Sequence, residues 1–262
     1  MISFSCCRCG FIAGFGLMFF VAFGAWASAA VAPVQPEAPL YQHLPVPSGE
    51  RLDYLRFPAK GDRLLLWVSS EQGQAEAERA AARRLAQRGI EVWMLDLGFN
   101  YFLDVGRSGF DDIPTNDMVA LLKAADQRKR LSVYVVGRAA IPLLKGYALW
   151  QPESGRPKTL KFILMHPNLY ERAEALEDAR YVDFGNLAGA RLIILQPRRT
   201  TAVVWLERQA QALRQQGAEV KDVILERLRE GFWEREDQST DEAKKGGQLG
   251  ELIGEQLGDG RP

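Results

Sequence analysis

The sequence predicts an α/β fold: a three-layer sandwich in which helices cover both faces of a mostly parallel sheet. Three observations predict it. Short runs rich in branched apolar residues recur along the chain, hydrophobic at consecutive positions as strands buried on both faces are. Between them lie longer segments whose apolar residues fall at i, i+3 and i+4, the spacing of a helix with one covered side. The two kinds alternate, and alternating strands and helices build right-handed crossovers into a parallel sheet.

The elements follow in order. "LDYLRF" (Leu52 to Phe57) has strand character, and "AKGD" turns it into "RLLLWVSS" (Arg63 to Ser70), a sheet-interior strand. "QAEAERAAARRLAQR" carries Ala77, Ala81 and Leu85 on one stripe, with Gly89 as its C-terminal stop. "IEVWMLDL" (Ile90 to Leu97) is another buried strand, followed by a loop containing Gly98, Gly106 and Gly109. In "IPTNDMVALLKAADQRKR", Met118, Leu121, Leu122 and Ala125 form a helical stripe behind a Thr115 or Asn116 cap. "LSVYVVG" is the next strand and "AAIPLLKGYALW" the next helix, with Pro142 tolerable in its first turn. Two strands, "LKFILMHP" and "RLIILQP", precede a helix between Ala202 and Gln216, and "AEVKDVILERL" supplies the last strand. A final helix places Leu249, Leu252, Ile253 and Leu257 on one face, and residues 258–262 read as a disordered tail.

The chain of 262 residues balances 33 basic against 33 acidic side chains, so no overall field draws it to nucleic acid. No basic stripe with interleaved aromatics appears either, and nucleic-acid binding is not expected. All three cysteines (Cys6, Cys7 and Cys9) precede an apolar stretch that ends in Ala25-Trp26-Ala27 and Ala27-Ser28-Ala29. A positive residue, an apolar run and a small-residue cleavage site make residues 1–29 a signal peptide, the alternative being an uncleaved N-terminal membrane anchor. Either assignment places the folded part outside the cytoplasm, in a Gram-negative periplasm or secreted, with membrane contact only through an uncleaved leader. Removal of the leader leaves no cysteine, hence no disulfide, redox thiol or cysteine nucleophile. Residues 30–50 are Pro-rich and read as an extended linker, too rich in proline for a central strand. Residues 51–257 then form a single domain.

The order of elements resembles that of an α/β-hydrolase core. "LLLWVSSEQG" matches the strand and loop that supply an oxyanion-hole amide in that fold, and "VYVVGRAA" the strand before its nucleophile elbow. "ARLIILQP" and "AEVKDVILERL" match the strands after which the fold places its acid and its histidine. The resemblance implies a catalytic triad, and at each of its three positions the expected residue type is missing. Within the degenerate elbow Gly137-Arg138-Ala139, the nucleophile's place holds Ala139; the acid's place reads Arg198-Arg199-Thr200; the histidine's place reads Arg229-Glu230-Gly231-Phe232-Trp233. The phrases "LDYLRFPAKGDRLLLWVSSEQG", "IEVWMLDL" and "HPNLY" are also similar to an exported hydrolase-like domain found N-terminal to TlpA-type thioredoxin-fold proteins in some bacteria. That kinship implies a periplasmic thioredoxin-fold partner. No thioredoxin-like segment follows residue 197 and there is no C-x-x-C, so such a partner is a separate polypeptide.

Candidate pocket residues lie where strands end, the edge at which open α/β sheets bind ligands. They are Ser69, Ser70, Asp96, His166, Asn168 and Arg198. His166 reads as a general base or polar ligand contact, or else as a histidine bonded to loop backbone beside Pro167 and Asn168. Ser69 and Ser70 read as displaced nucleophiles or, more ordinarily, as caps of the following helix. Asp111 and Asp112 read as an acid/base pair or as turn formers. Arg138 reads as an anion contact at a helix start, strengthened if Arg198 and Arg199 converge on it, or as a salt-bridged arginine. No metal-ligand spacing, G-x-G-x-x-G or P-loop is present, so no cofactor is expected. Three functions stay open: a non-catalytic binding protein, an accessory to periplasmic thiol-disulfide chemistry, and a hydrolase with a relocated nucleophile.

Overall fold

A computed structural model describes residues 38–103, 109–127, 129–150, 159–171 and 180–258, all within one compact unit. The leader at 1–29 and the tail beyond Gly258 lie outside the described residues. Strands β1 (Leu40–Pro45) and β2 (Arg51–Phe57) form an antiparallel hairpin, with Leu40 opposite Arg56 and Pro45 opposite Arg51. The stretch expected to be linker up to residue 50 is therefore structured from Leu40. Its place explains how prolines are tolerated: β1 is the edge of the sheet, where a missing N–H interrupts no central ladder.

There follow β3 (Arg63–Val68), α1 (Glu76–Gln87), β4 (Ile90–Leu95) and the short α2 (Leu97–Asn100). After them come α3 (Thr115–Asp126), β5 (Arg130–Val136), α4 (Ala140–Trp150), β6 (Leu160–Met165) and β7 (Ala190–Pro197). The chain closes with α5 (Leu206–Gln215), β8 (Glu219–Leu225), α6 (Thr240–Gly247) and α7 (Leu249–Leu257). The eight strands lie in the order β1-β2-β4-β3-β5-β6-β7-β8. β2 is antiparallel to β4, and every pairing from β4 to β8 is parallel.

The apolar runs take the centre because both their faces are covered. Leu64, Leu66, Val133, Val135, Phe162 and Leu164 face the core under α3, α4 and α5. Leu65, Trp67, Tyr134, Val136, Ile163 and Met165 face a second core under α1 and α7. β8, the other edge, shows Glu219, Lys221 and Asp222 to water, charges that discourage pairing with a further strand. α3 and α4 touch closely at Gly146, where a Cβ would stand 2.6 Å from Cβ of Met118.

Two local expectations are corrected. α3 begins at Thr115 behind Pro114, and no side chain caps it. Proline's fixed φ already sets the chain's entry there, so neither Thr115 nor Asn116 serves as cap. α6 also lies between the last expected strand and the last expected helix, where no element was expected. Its start is fixed by Ser239 and Glu242, whose side chain and backbone groups bond reciprocally.

Candidate functional site

Because β3 to β8 run parallel, their C-terminal ends share one edge, and the sequence-chosen residues stand along it. β3 has β4 on one side and β5 on the other, so the chain reverses its direction of travel across the sheet at this strand. Such a reversal opens a crevice above the strand ends.

β5 is followed by Gly137, whose φ of +61° lies in the left-handed region, and a single 3₁₀ turn (Gly137–Ala139) leads into α4. This sharp strand-to-helix turn is the place where the fold exposes a nucleophile. Its apex is Gly137, two residues before the position the sequence suggested; Ala139 is fully buried beneath it. A Cβ on Gly137 would meet nothing within 4 Å, so the apex is open and carries only a hydrogen.

Arg138, next to the apex, is buried and committed to the protein. Its guanidinium pairs with Asp111, and donates to Asn168 Oδ1 at 3.2 Å and to the Tyr170 carbonyl at 2.9 Å. It thereby ties the 109–112 turn and the loop after β6 to the elbow. The convergence with Arg198 that would make an anion site is not what the fold provides. Arg198 is exposed and paired with Glu226 at 2.9 Å.

Neither serine caps α1, which starts six residues after Ser70 with Ala75 as its flanking residue. The Ser70 hydroxyl accepts from Gln72 N at 3.2 Å and donates to Gln72 Oε1 at 2.8 Å, closing a tight turn in front of the helix. Ser69 is fully buried, and its Oγ has no hydrogen-bond partner of full geometry. Asp96 caps α2, accepting from Phe99 N at 2.9 Å.

His166 is the most constrained of the candidates. Its φ of 37° is a left-handed conformation that costs a non-glycine residue about 1 kcal/mol or more. The backbone N–H is held by the Leu195 carbonyl at 2.9 Å. The ring stacks on Trp233, centroids 5.8 Å apart, and Nδ1 stands 3.4 Å from Glu230 Oε1. Burial pushes its pKa down to about 4, so near neutral pH the ring is uncharged. Nε2 is left buried without a protein partner.

These groups wall a cleft of about 900 Å³, lined among others by Gln72, Gln74, His166, Glu230, Trp233 and Glu234. Four carboxyls at and near it share one tendency. Burial raises the pKa of Glu230; burial and then Glu230 raise that of Glu234; burial, opposed by Arg138, raises that of Glu71. Glu78 is raised to about 7 by burial, although Ala75 N and Trp67 Nε1 donate to it. Sequence reading missed Glu230 and Trp233 as partners of His166, since more than sixty residues separate them and only the register of β6 with β7 and β8 brings them together. Among the described residues no group of three or more metal-ligating side chains occurs, and no helix is long and apolar enough to cross a membrane.

No family model matches the chain, and no curated protein matches it in sequence. Solved structures do match. A dienelactone hydrolase-like protein of Klebsiella pneumoniae superposes with a TM-score of 0.56 at 19% identity, over 81% of this chain and 97% of its own. A thermostable carboxylesterase from a metagenomic library gives 0.58 at 16%, over 88% and 92%. An esterase of the archaeon Pyrobaculum calidifontis gives 0.57 at 12%, over 85% and 87%. At these identities the likeness establishes the fold: this is an α/β-hydrolase-fold protein with an eight-stranded, mostly parallel sheet.

Proposed function

We propose that this protein is a non-catalytic α/β-hydrolase-fold protein of the cell envelope that binds a ligand or partner in the cleft walled by His166, Glu230 and Trp233. One observation carries the reading. The sharp apex after β5 is Gly137, with neither oxygen nor sulfur to attack a carbonyl, and the terminal guanidinium nitrogens of the adjacent Arg138 are engaged by Asp111, Asn168 and Tyr170. The cleft lies along the edge at which open α/β sheets bind ligands, which supports recognition without acyl transfer. The leader at residues 1–29 supports the envelope location, and a periplasmic thioredoxin-fold partner stays within this proposal.

A second reading, a hydrolase with a relocated nucleophile, draws support from a neutral imidazole 3.4 Å from a carboxylate and from the esterases among the structural neighbours. Ser69 and Ser70 are its candidate nucleophiles, and the engagement of Ser70 with Gln72 weighs against that residue. Incubation of the purified protein with a fluorophosphonate probe and p-nitrophenyl esters separates the two. The non-catalytic reading expects no labelling and no turnover above that of the Ser69→Ala, Ser70→Ala and His166→Ala variants. Turnover abolished by one of those substitutions would replace it with the second reading.

A further inference from the structure

The polar groups around the cleft are unevenly committed, and the imbalance bears on what it can hold. Glu76, Glu230 and Glu234 all line it. Glu76 already accepts from the Arg83 guanidinium at 2.9 Å. Glu230 has only the uncharged His166 ring beside it, and Glu234 has no cationic partner among the described residues. Partial burial raises the pKa of each, and Glu230 raises that of Glu234 further, so the two carboxyls sense each other.

Three donor side chains on the same walls are turned to the protein instead. Arg235 Nε bonds Asp237 Oδ1 at 2.9 Å. Gln238 Nε2 donates to the Phe232 carbonyl at 2.7 Å, and Gln74 Nε2 to the Met94 carbonyl at 3.4 Å. Each amide keeps its oxygen as an acceptor. The positive end of α1 also borders the cleft, but the protein's own carboxyls meet it: Glu78 accepts from Ala75 N at 3.0 Å, and Glu76 lies in the same turn.

His166 supplies an independent sign that something else belongs here. Its side chain, only 8% exposed, lines the cleft, and Nε2 has no protein partner. A buried polar atom left unbonded costs about 1–3 kcal/mol, which a ligand can recover. An uncharged imidazole does not repel a cation, and one of its nitrogens is always an acceptor. Among the described residues no three carboxyl or imidazole groups stand close enough to hold one metal ion. Charges spread in this way suit an extended cation with several centres.

We propose that the cleft binds a small organic polycation, a di- or polyamine whose ammonium groups sit against Glu230 and Glu234. The proposal rests on the binding function given above and names its ligand class. The cleft of about 900 Å³ is roomy enough for such a chain.

Isothermal titration of the full chain with spermidine, putrescine and n-butylamine, at constant ionic strength, tests the assignment. Saturable binding is expected, tightest for spermidine and weakest for the singly charged butylamine. Glu230→Gln and Glu234→Gln should each weaken spermidine binding about tenfold, the loss of one charge-assisted contact. Glu207→Gln, on α5, should leave it unchanged. Glu230 is 64% exposed, so its variant keeps the fold and is the decisive one. Spermidine should also raise the Tm of the parent and not that of the doubly substituted chain. No saturation at millimolar spermidine overturns the proposal, as does full affinity in Glu230→Gln. An equal loss in Glu207→Gln would reduce the effect to diffuse charge attraction. Tighter binding of calcium at the same carboxyls would reassign them to a metal ion. The two readings fail separately. Absent polyamine binding overturns this assignment and leaves the ester assay to decide catalysis, whereas ester turnover overturns the non-catalytic reading whatever the titration shows.

Discussion

At the scale of single residues, the site is defined by two backbone conformations that side chains rarely adopt. Gly137 accepts its left-handed φ without strain, whereas His166 accepts one at a cost. The difference yields a sharp expectation. Gly137→Ala should lower stability by about 1 kcal/mol through backbone strain alone, because the added methyl meets no atom within 4 Å. Urea denaturation measures the loss, and a loss of several kcal/mol would mean that the apex is packed rather than open. His166 turns its ring onto Trp233 instead of following the pleat of β6, which leaves Nε2 buried but unbonded. Buried polar atoms without partners and strained conformations together cluster at functional sites.

At the scale of elements, close contacts decide how the helices are held. Gly146 lets α4 meet α3 at Met118. Gly146→Ala should destabilise by about 1–2 kcal/mol, the overpacking cost outweighing the gain in helix propensity. Met118→Ala should fail to rescue it, since the clash is with the Cβ that alanine keeps; calorimetry of the single and double variants checks this. The wall of the cleft depends on another element. Glu242, fully buried at the start of α6, accepts from the Arg229 backbone and guanidinium and from Ser239 N. These bonds, led by Arg229, hold its carboxyl far below the usual range in spite of burial. Glu242→Gln should therefore lower Tm by about 5 °C, through loss of charge-assisted bonds. It should also speed amide exchange across residues 229–239, the segment that carries Glu230 and Trp233.

At the scale of the whole molecule, stability should respond to pH through two buried groups with opposite signs. His166 drops from 6.5 to about 4 on folding, so its contribution is complete above pH 6.5 and fades as pH falls toward 4. Glu78 rises from 4.5 to about 7, so its contribution is complete below pH 4.5 and fades as pH rises toward 7. Each is worth about 3 kcal/mol over its window, and between pH 4.5 and 6.5 they oppose each other. Relative to the parent, His166→Asn should lose stability with rising pH in that interval, and Glu78→Gln should lose it with falling pH. Chemical denaturation across pH, by the midpoint, reads both slopes.

The sheet itself was legible in the sequence, because strands buried on both faces leave apolar runs that need no knowledge of their neighbours. The edge strand β1 was not, since it is exposed along most of its length and lies in a Pro-rich stretch. The candidate site divides in the same way. Ser69, Asp96, Gly137 and His166 were found because they follow strands, a property of local pattern. The partners of His166, Glu230 and Trp233, lie in a loop whose position is set only when distant strands come into register.

The packing of α7 on α1 has a further consequence, for the order in which the chain is made. Leu249, Leu252 and Ile253 cover Ala81, Ala82 and Leu85, although well over a hundred residues separate the two helices. During synthesis that side of the sheet stays wet until Leu249–Leu257 has been made and has cleared the ribosome. A message broken before Thr240 would yield a chain with an oily face still uncovered, a form suited to capture by chaperones or to self-association rather than to folding.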